Sequence, residues 1–242
     1  MALRWDQQPT ETSTHGTVRF MLQQGAMVQG ANAMQLVSYR LSYWLIRHFH
    51  GTPALGLYSV GNQLAESAWL APKSLGLVLY SKVSNTPEAD RQRTLTLTMM
   101  KVAVACAFAV LIVIIALPDV AYGMAFGHEI TGLRPIALLL APGIVCMAAS
   151  QAFSHYFSGT GRNRHNMIGS GLGLLISVVL GLILIPRYAL HGAAITASCA
   201  YGANAIYQAI VFLRGTGSSL VDLFPNTKDV TRVKELLRGM MR

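Results

Sequence analysis

Apolar residues run along this chain in long stretches, separated by short clusters rich in Gly and Pro. The stretches are too long and too continuous for the alternating strands of about 9–11 residues that build a membrane barrel, and they predict helices. Six are expected. They run from about Phe20 to Phe49, Pro53 to Ser81, Lys101 to Pro118, Pro135 to Phe157, Met167 to Ile185 and Gly192 to Leu213. The connections HGTP (50–53), SNTPE (84–88), FGHE (126–129), SGTGRN (158–163) and PRYALHG (186–192) carry the residues that end one helix and start another. The fold class read from this pattern is all-α, a polytopic membrane protein with a six-transmembrane-helix bundle.

Composition agrees with the pattern. Charged residues make up 12% of the chain and hydrophobic ones 52%, whereas a soluble domain carries roughly 25% charged residues. A net charge of +9 would suggest nucleic acid in a soluble protein, but here its placement matters more. Fourteen Lys and Arg fall in one alternate set of loops and ends, including Arg91, Arg93, Arg162, Arg164 and Arg214; only Arg47, Arg134 and Arg187 fall in the other. The positive-inside rule then places both termini in the cytoplasm and gives no role to nucleic acid.

Three segments follow: a polar N-terminal segment 1–19 without the apolar core of a signal peptide, the helical bundle 20–217, and a cytoplasmic tail 218–242. From Thr227 the tail spaces Val230, Val233, Leu237 and Met241 against Lys228, Arg232, Lys234 and Arg238, the pattern of a basic amphipathic helix lying on anionic membrane lipids.

The polar residues inside the apolar runs are the candidate site. Asn62, Glu66, Trp69 and Lys73 are spaced i, i+4, i+7 and i+11, one stripe on an unbroken helix, although Pro72 should kink it. Gln29, Asn32 and Arg40 share a face of the preceding helix. A charge at the bilayer centre costs at least about 2.5–3.5 kcal/mol, so the two stripes are expected to face each other or one aqueous cavity. Glu66 could simply pair with Lys73 or Arg40 and lock the helices. Alternatively, two cations against one carboxylate leave a positive surface suited to a phosphate.

Elsewhere Gly169, Gly173, Ser177 and Gly181 recur every four residues as a helix-packing ridge. Cys106, Cys146 and Cys199 lie at no ligand spacing. No metal, cofactor or catalytic signature is present in the sequence, and the reading is of a non-enzyme.

Several stretches resemble the C-terminal half of bacterial O-antigen and polysaccharide flippases, members of the multidrug/oligosaccharidyl-lipid/polysaccharide exporter superfamily. They are SYRLSYWLIRHF, ALGLYSVGNQLAESAWLAPKSLGLVLYSKVS, APGIVCMAASQAFSHYFSGTGRNRHN and LILIPRYALHGAAITAS, in order over roughly residues 20–220. The resemblance implies one six-helix lobe of a two-lobed carrier in the bacterial inner membrane. Such a carrier passes an undecaprenyl-diphosphate-linked oligosaccharide across by alternating access. It implies Arg40 and Lys73 as holders of the diphosphate, with Asn62 and Glu66 shaping the cavity.

A single lobe would need a separate N-terminal lobe or polysaccharide assembly proteins as partners. Coupling to a proton or sodium gradient stays open. The alternatives are a drug or cation exporter lobe of the same superfamily, a membrane-embedded glycosyl-lipid enzyme, and a non-transporting membrane subunit. Short outer loops speak against the enzyme.

Overall fold

The structure is a computed structural model that describes residues 14–126 and 133–226. The described residues form helices and no strand: α1 (Thr14–Ser67), α2 (Leu70–Ser84), α3 (Ala89–Ala116), α4 (Asp119–Phe126), α5 (Leu133–Gly159) and α6 (Asn163–Thr216), then a 3-10 turn at Leu220–Leu223. The sequence pattern did not foresee α4. The amphipathic helix expected from Thr227, most of the segment 1–19 and most of the FGHE connection lie outside the described residues.

Three of these helices, α3, α5 and α6, are long and apolar enough to cross a membrane. Their outer faces are apolar as well, with Phe108, Val113, Leu175 and Leu182 each about half exposed or more. Asn62, Asn166, Ser170, Ser177 and Gln208 are buried instead. Polar groups inside and apolar groups outside suit a lipid surround, in which every buried polar atom still needs a partner.

Helix ends follow local backbone chemistry. Leu117 is extended (φ −61°, ψ 133°) because the following Pro118 disfavours the helical region, so α3 stops at Ala116. At the end of α6, Gly217 takes the left-handed conformation (φ 64°) and Ser218 N–H closes onto Leu213 O at 3.0 Å.

Both of the longest helices are interrupted. In α1 the break is Gly51 (φ 82°, ψ −178°), a conformation open to glycine. Around it the chain doubles back, so that Tyr43 meets both Tyr58 and Asn62. In α6 the break is Ala189 (φ 47°, ψ −122°). The expected connection 186–192 is thus compressed to one residue, with Pro186 still helical. Here too the chain returns antiparallel: His165 meets Tyr207 and Asn166 meets Gln208. A side chain at Gly192 would strike the carbonyl of Leu184, so the tight return requires a glycine there.

The first parts of α1 and α6 run parallel, as hydrogen bonds climb both together. Gln24 pairs with Asn163, Gln35 with Ser170, Ser38 with Ser177 and His50 with Ile185 O. A carbonyl only accepts, so the His50 ring nitrogen donates across the 2.7 Å. That bond brings the Gly51 and Ala189 breaks to the same end of the molecule.

Apolar packing forms two clusters. One gathers Leu45, Ile46, Tyr58, Ile136, Leu140 and Ile185 near the breaks. The other gathers Leu79, Val83, Met100, Phe153, Phe157 and Phe212 towards the opposite end. The small-residue ridge of α6 is buried between them.

Candidate functional site

The polar stripe expected on one continuous helix is split. After Ser67 the chain turns through Ala68 and Trp69, with short bonds from Ala68 N–H to Ala65 O and from Trp69 N–H to Glu66 O. Pro72 is the cause: without an N–H it fits the first turn of a new helix, not the interior of an old one. The turn moves Lys73 out of phase with Asn62 and Glu66.

Asn62 is buried and donates to the Tyr43 hydroxyl at 3.3 Å. Glu66 is half-buried and accepts from the Tyr201 hydroxyl at 3.5 Å. Tyr39 lies against Tyr201 with ring centroids 6.1 Å apart. The carboxylate therefore meets tyrosine hydroxyls, and neither Arg40 nor Lys73 comes within ion-pair distance of it. Lys73 is exposed, its ammonium 5.1 Å from the centre of the Trp69 ring. Arg40, Gln29 and Asn32 are exposed on α1. The two stripes do not close on one another as expected.

Among the described residues, three cavities follow one another along α1 and α6, the first two also bounded by α5. The largest of the three, about 190 Å³, has Asn32 and Gln35 on one side and Asn166, Asn204 and Gln208 on the other. A second of about 40 Å³ shares Gln35, Ser150, Gln151, Ser170 and Asn204 with it and adds Tyr39 and Tyr201. The third, about 10 Å³, shares Tyr39 and Tyr201 with the second and reaches Tyr43, Tyr58 and Asn62. Of the six sequence candidates, Asn32 and Asn62 line this file, one at each end. Arg40, Glu66, Lys73 and Gln29 do not line it.

Sequence reasoning missed the tyrosines and the amides of α6. Their signal was present: Asn163, Asn166, Ser170 and Ser177 share a face of a helix that is otherwise apolar, and Asn204 and Gln208 sit one turn apart. The missed groups form a relay. Asn166 Nδ2 donates to Ser154 O and to Ser158 Oγ, both at 3.0 Å, and its Oδ1 accepts from Gln208 Nε2 at 3.3 Å. The side-chain oxygens of Asn204 and Gln208 are buried and have no hydrogen-bond partner among the described residues.

At the end of α6 the chain is tied back to α3. Arg93 pairs with Asp222 at 2.8 Å, and the same carboxylate oxygen accepts from the Ser219 N–H at 2.9 Å. Those two contacts, the Ser219 bond first, hold the Asp222 carboxyl below the usual carboxylate range.

No family model, no curated protein and no solved structure matches this chain.

Proposed function

We propose that the protein is a transport lobe of the bacterial inner membrane, moving a lipid-linked oligosaccharide from the cytoplasmic to the outer leaflet. In this reading α1 and α6 each cross the membrane twice, folding back at Gly51 and Ala189. With the α1 return continuing through α2, and with α3 and α5, they make a six-helix bundle with both termini cytoplasmic. The observation that carries it is the file of cavities, the largest of the three mostly polar, in a bundle whose outer face is apolar. Interhelical hydrogen bonds account for part of this amide- and hydroxyl-lined interior, and the open volume beside them is what a polar solute would occupy.

Arg40 and Lys73 extend the same logic to the surface. Both are exposed and neither is paired with a carboxylate among the described residues. In a membrane such cations need a polar counter-surface, which a second lobe and an anionic diphosphate together would supply. The partners are then the lipid-linked glycan, membrane lipids, and a companion lobe or assembly protein. Gradient coupling by protons or sodium belongs to the same proposal.

A drug or cation exporter is the second reading, favoured by Glu66 among tyrosines, since aromatic faces and a carboxylate attract organic cations. The adjoining space of about 10 Å³ leaves no room for one in this conformation, and the glycan reading is preferred.

The test is glycan export and membrane abundance, measured together for Arg40→Ala and Lys73→Ala in cells that supply the lipid-linked substrate and companion lobe. Each variant should lose about tenfold in export, equal to ~1.4 kcal/mol, at near-normal abundance. If abundance collapses in step with export, the cations hold the fold and carry no substrate. Unchanged export would remove them from the pathway.

A further inference from the structure

We infer that the 3-10 turn Leu220–Leu223 and the basic residues at that end of the bundle form a docking site for anionic phospholipids of the cytoplasmic leaflet. The inference rests on the membrane placement proposed above and is independent of the cargo. Leu220, Val221 and Phe224 are 68%, 75% and 69% exposed, yet they follow the end of α6 at Thr216, where the last span is over. An apolar side chain on a lipid-facing helix is in its expected surroundings; three together on a segment beyond the spans mark a contact surface. Leu223 turns the other way and packs on the cluster of Met100, Phe153 and Phe212.

The segment is held, not frayed. Beyond the left-handed Gly217, Thr216 Oγ1 lies 2.8 Å from Ser218 Oγ, and Ser219 forms a capping box with Asp222. Asp222 pairs with Arg93 of α3 at 2.8 Å, and Lys101 is near enough to act on the same carboxylate. These ties set the level of the turn relative to the bilayer. The apolar span of α3 begins at Lys101, and Arg93 stands eight residues before it, about 12 Å along the helix axis. The headgroup layer on each side of the hydrocarbon core is about 5–8 Å deep. A turn strung between Arg93 and Lys101 therefore lies in that layer, the depth at which interfacial segments bury their apolar side chains.

The neighbours set the charge of the ligand. Arg214 is exposed near the end of α6. A Cβ at Gly215 would lie 3.7 Å from Arg162 Nη1, so the Arg162 guanidinium rests beside the same turn of helix. With Arg93 and Lys101 these make a cationic rim that the Asp222 carboxylate offsets only in part. Glu88 and Asp90 stand farther out along α3 than Arg93. Arg162 and Arg214 also suit the negative end of the α6 dipole, but a dipole gives no reason for the three apolar side chains. A phospholipid answers to both, its phosphate meeting the guanidinium forks and its acyl chain meeting Leu220, Val221 and Phe224. An acidic protein surface would answer to the cations alone.

The experiment places the photo-crosslinking residue p-benzoylphenylalanine at Phe224, Phe108 or Glu88 of the full chain, in nanodiscs of phosphatidylcholine mixed with phosphatidylglycerol. Adducts are identified by mass. Phe108, exposed on the span of α3, is the lipid-facing reference. Glu88, thirteen residues before Lys101 and so about 20 Å away along α3, is the aqueous one. Position 224 should form lipid adducts in which phosphatidylglycerol exceeds its share of the bilayer. Position 108 should react with both lipids without preference, and position 88 with few of either. Arg214→Gln should cut the phosphatidylglycerol excess at position 224 about fivefold, equal to the ~1 kcal/mol of one basic residue near an anionic surface. If the probe at 224 impairs assembly, Val221 carries it instead. Position 224 behaving like 88 while 108 labels lipid would overturn the docking site alone; absence of lipid adducts at 108 as well would overturn the membrane placement. Equal reaction of 224 with the two lipids would overturn the anionic recognition. Illumination of whole cells that ties position 224 to a protein and not to lipid would overturn the assignment in favour of a protein partner.

Discussion

Gly143→Ala is the perturbation whose size follows most directly from the structure. Gly143 is buried on α5 against the second part of α6, and a Cβ placed there would lie 2.5 Å from the Ser198 Cα and 2.8 Å from its Oγ. Carbon atoms in good contact sit about 3.5–4.0 Å apart, so the two helices would have to separate by about 1 Å. The obstructing atom is backbone and cannot rotate away. Overpacking of this kind costs about 1–3 kcal/mol. The same movement strains the bond from Ser198 Oγ to Leu139 O at 2.6 Å, worth about 0.5–1.5 kcal/mol net. Against these stands the helix-propensity gain of alanine over glycine, about 1 kcal/mol. The balance is a loss of about 1–3 kcal/mol. Gly56→Ala is the control, because nothing lies within 4 Å of its Cβ position and only the propensity gain applies. Thermal unfolding in nanodiscs, followed by circular dichroism, should lower the midpoint for Gly143→Ala and leave or raise it for Gly56→Ala. Equal shifts in the two variants, or a stabilised Gly143→Ala, would refute the close α5–α6 approach.

Ala189 is a non-glycine residue at φ 47°, a region costing roughly 1–2 kcal/mol for a side-chain-bearing residue. Ala189→Gly should therefore stabilise the fold by up to about 1 kcal/mol after the glycine entropy is subtracted, and a lowered midpoint would contradict the observed return. Asp222 has its folded-state carboxyl pKa depressed by the Ser219 N–H and Arg93. Its contribution is thus present above the unfolded value of about 3.9 and lost as pH falls through the lower folded value. Amide exchange at Leu220–Leu223 should accelerate relative to α3 only in that acid range, and Asp222→Asn should show the faster exchange at neutral pH. Equal protection in the variant and the parent at neutral pH would remove the tie to Arg93.

The boundaries legible in the sequence are those fixed by a residue's own backbone preference. Gly51 before Pro53, Leu117 before Pro118 and the Gly159–Gly161 stretch end helices wherever they stand, and the structure places breaks at each. Ala189 was not legible because alanine has no leaning towards positive φ; the return is imposed by the close approach of Gly192 to Leu184. The eight residues of α4 have too few turns to show a period. The site shows the same division. Asn62 and Glu66 stood out as polar groups in an apolar run, but Lys73 was aligned with them on the assumption of an unbroken helix. Their partners were invisible for another reason: Tyr201 is 135 residues from Glu66, and a tyrosine in an apolar helix gives no sign of where its hydroxyl points.

Between helices in lipid, apolar contacts discriminate poorly, because a lipid tail is as good a neighbour for leucine as another leucine. Register must come from contacts that lipid cannot replace. Here those are Ser38 with Ser177, Gln35 with Ser170, Asn166 with Gln208 and His50 with Ile185 O. Interhelical hydrogen bonds in membranes average about 0.6 kcal/mol each, so four amount to about 2–3 kcal/mol. That is a substantial share of a net stability of about 5–15 kcal/mol. Gln35, Ser38, Asn166, Ser170, Ser177 and Gln208 also line the cavities. A chain under selection for packing alone would have closed that space with leucine and alanine and kept the few bonds needed for register. Instead Gly169 gives up its side chain to make room for the Asn204 amide, whose Oδ1 packs against it. Such an arrangement gives up apolar packing, which lipid could replace, for polar contacts between helices, which it could not.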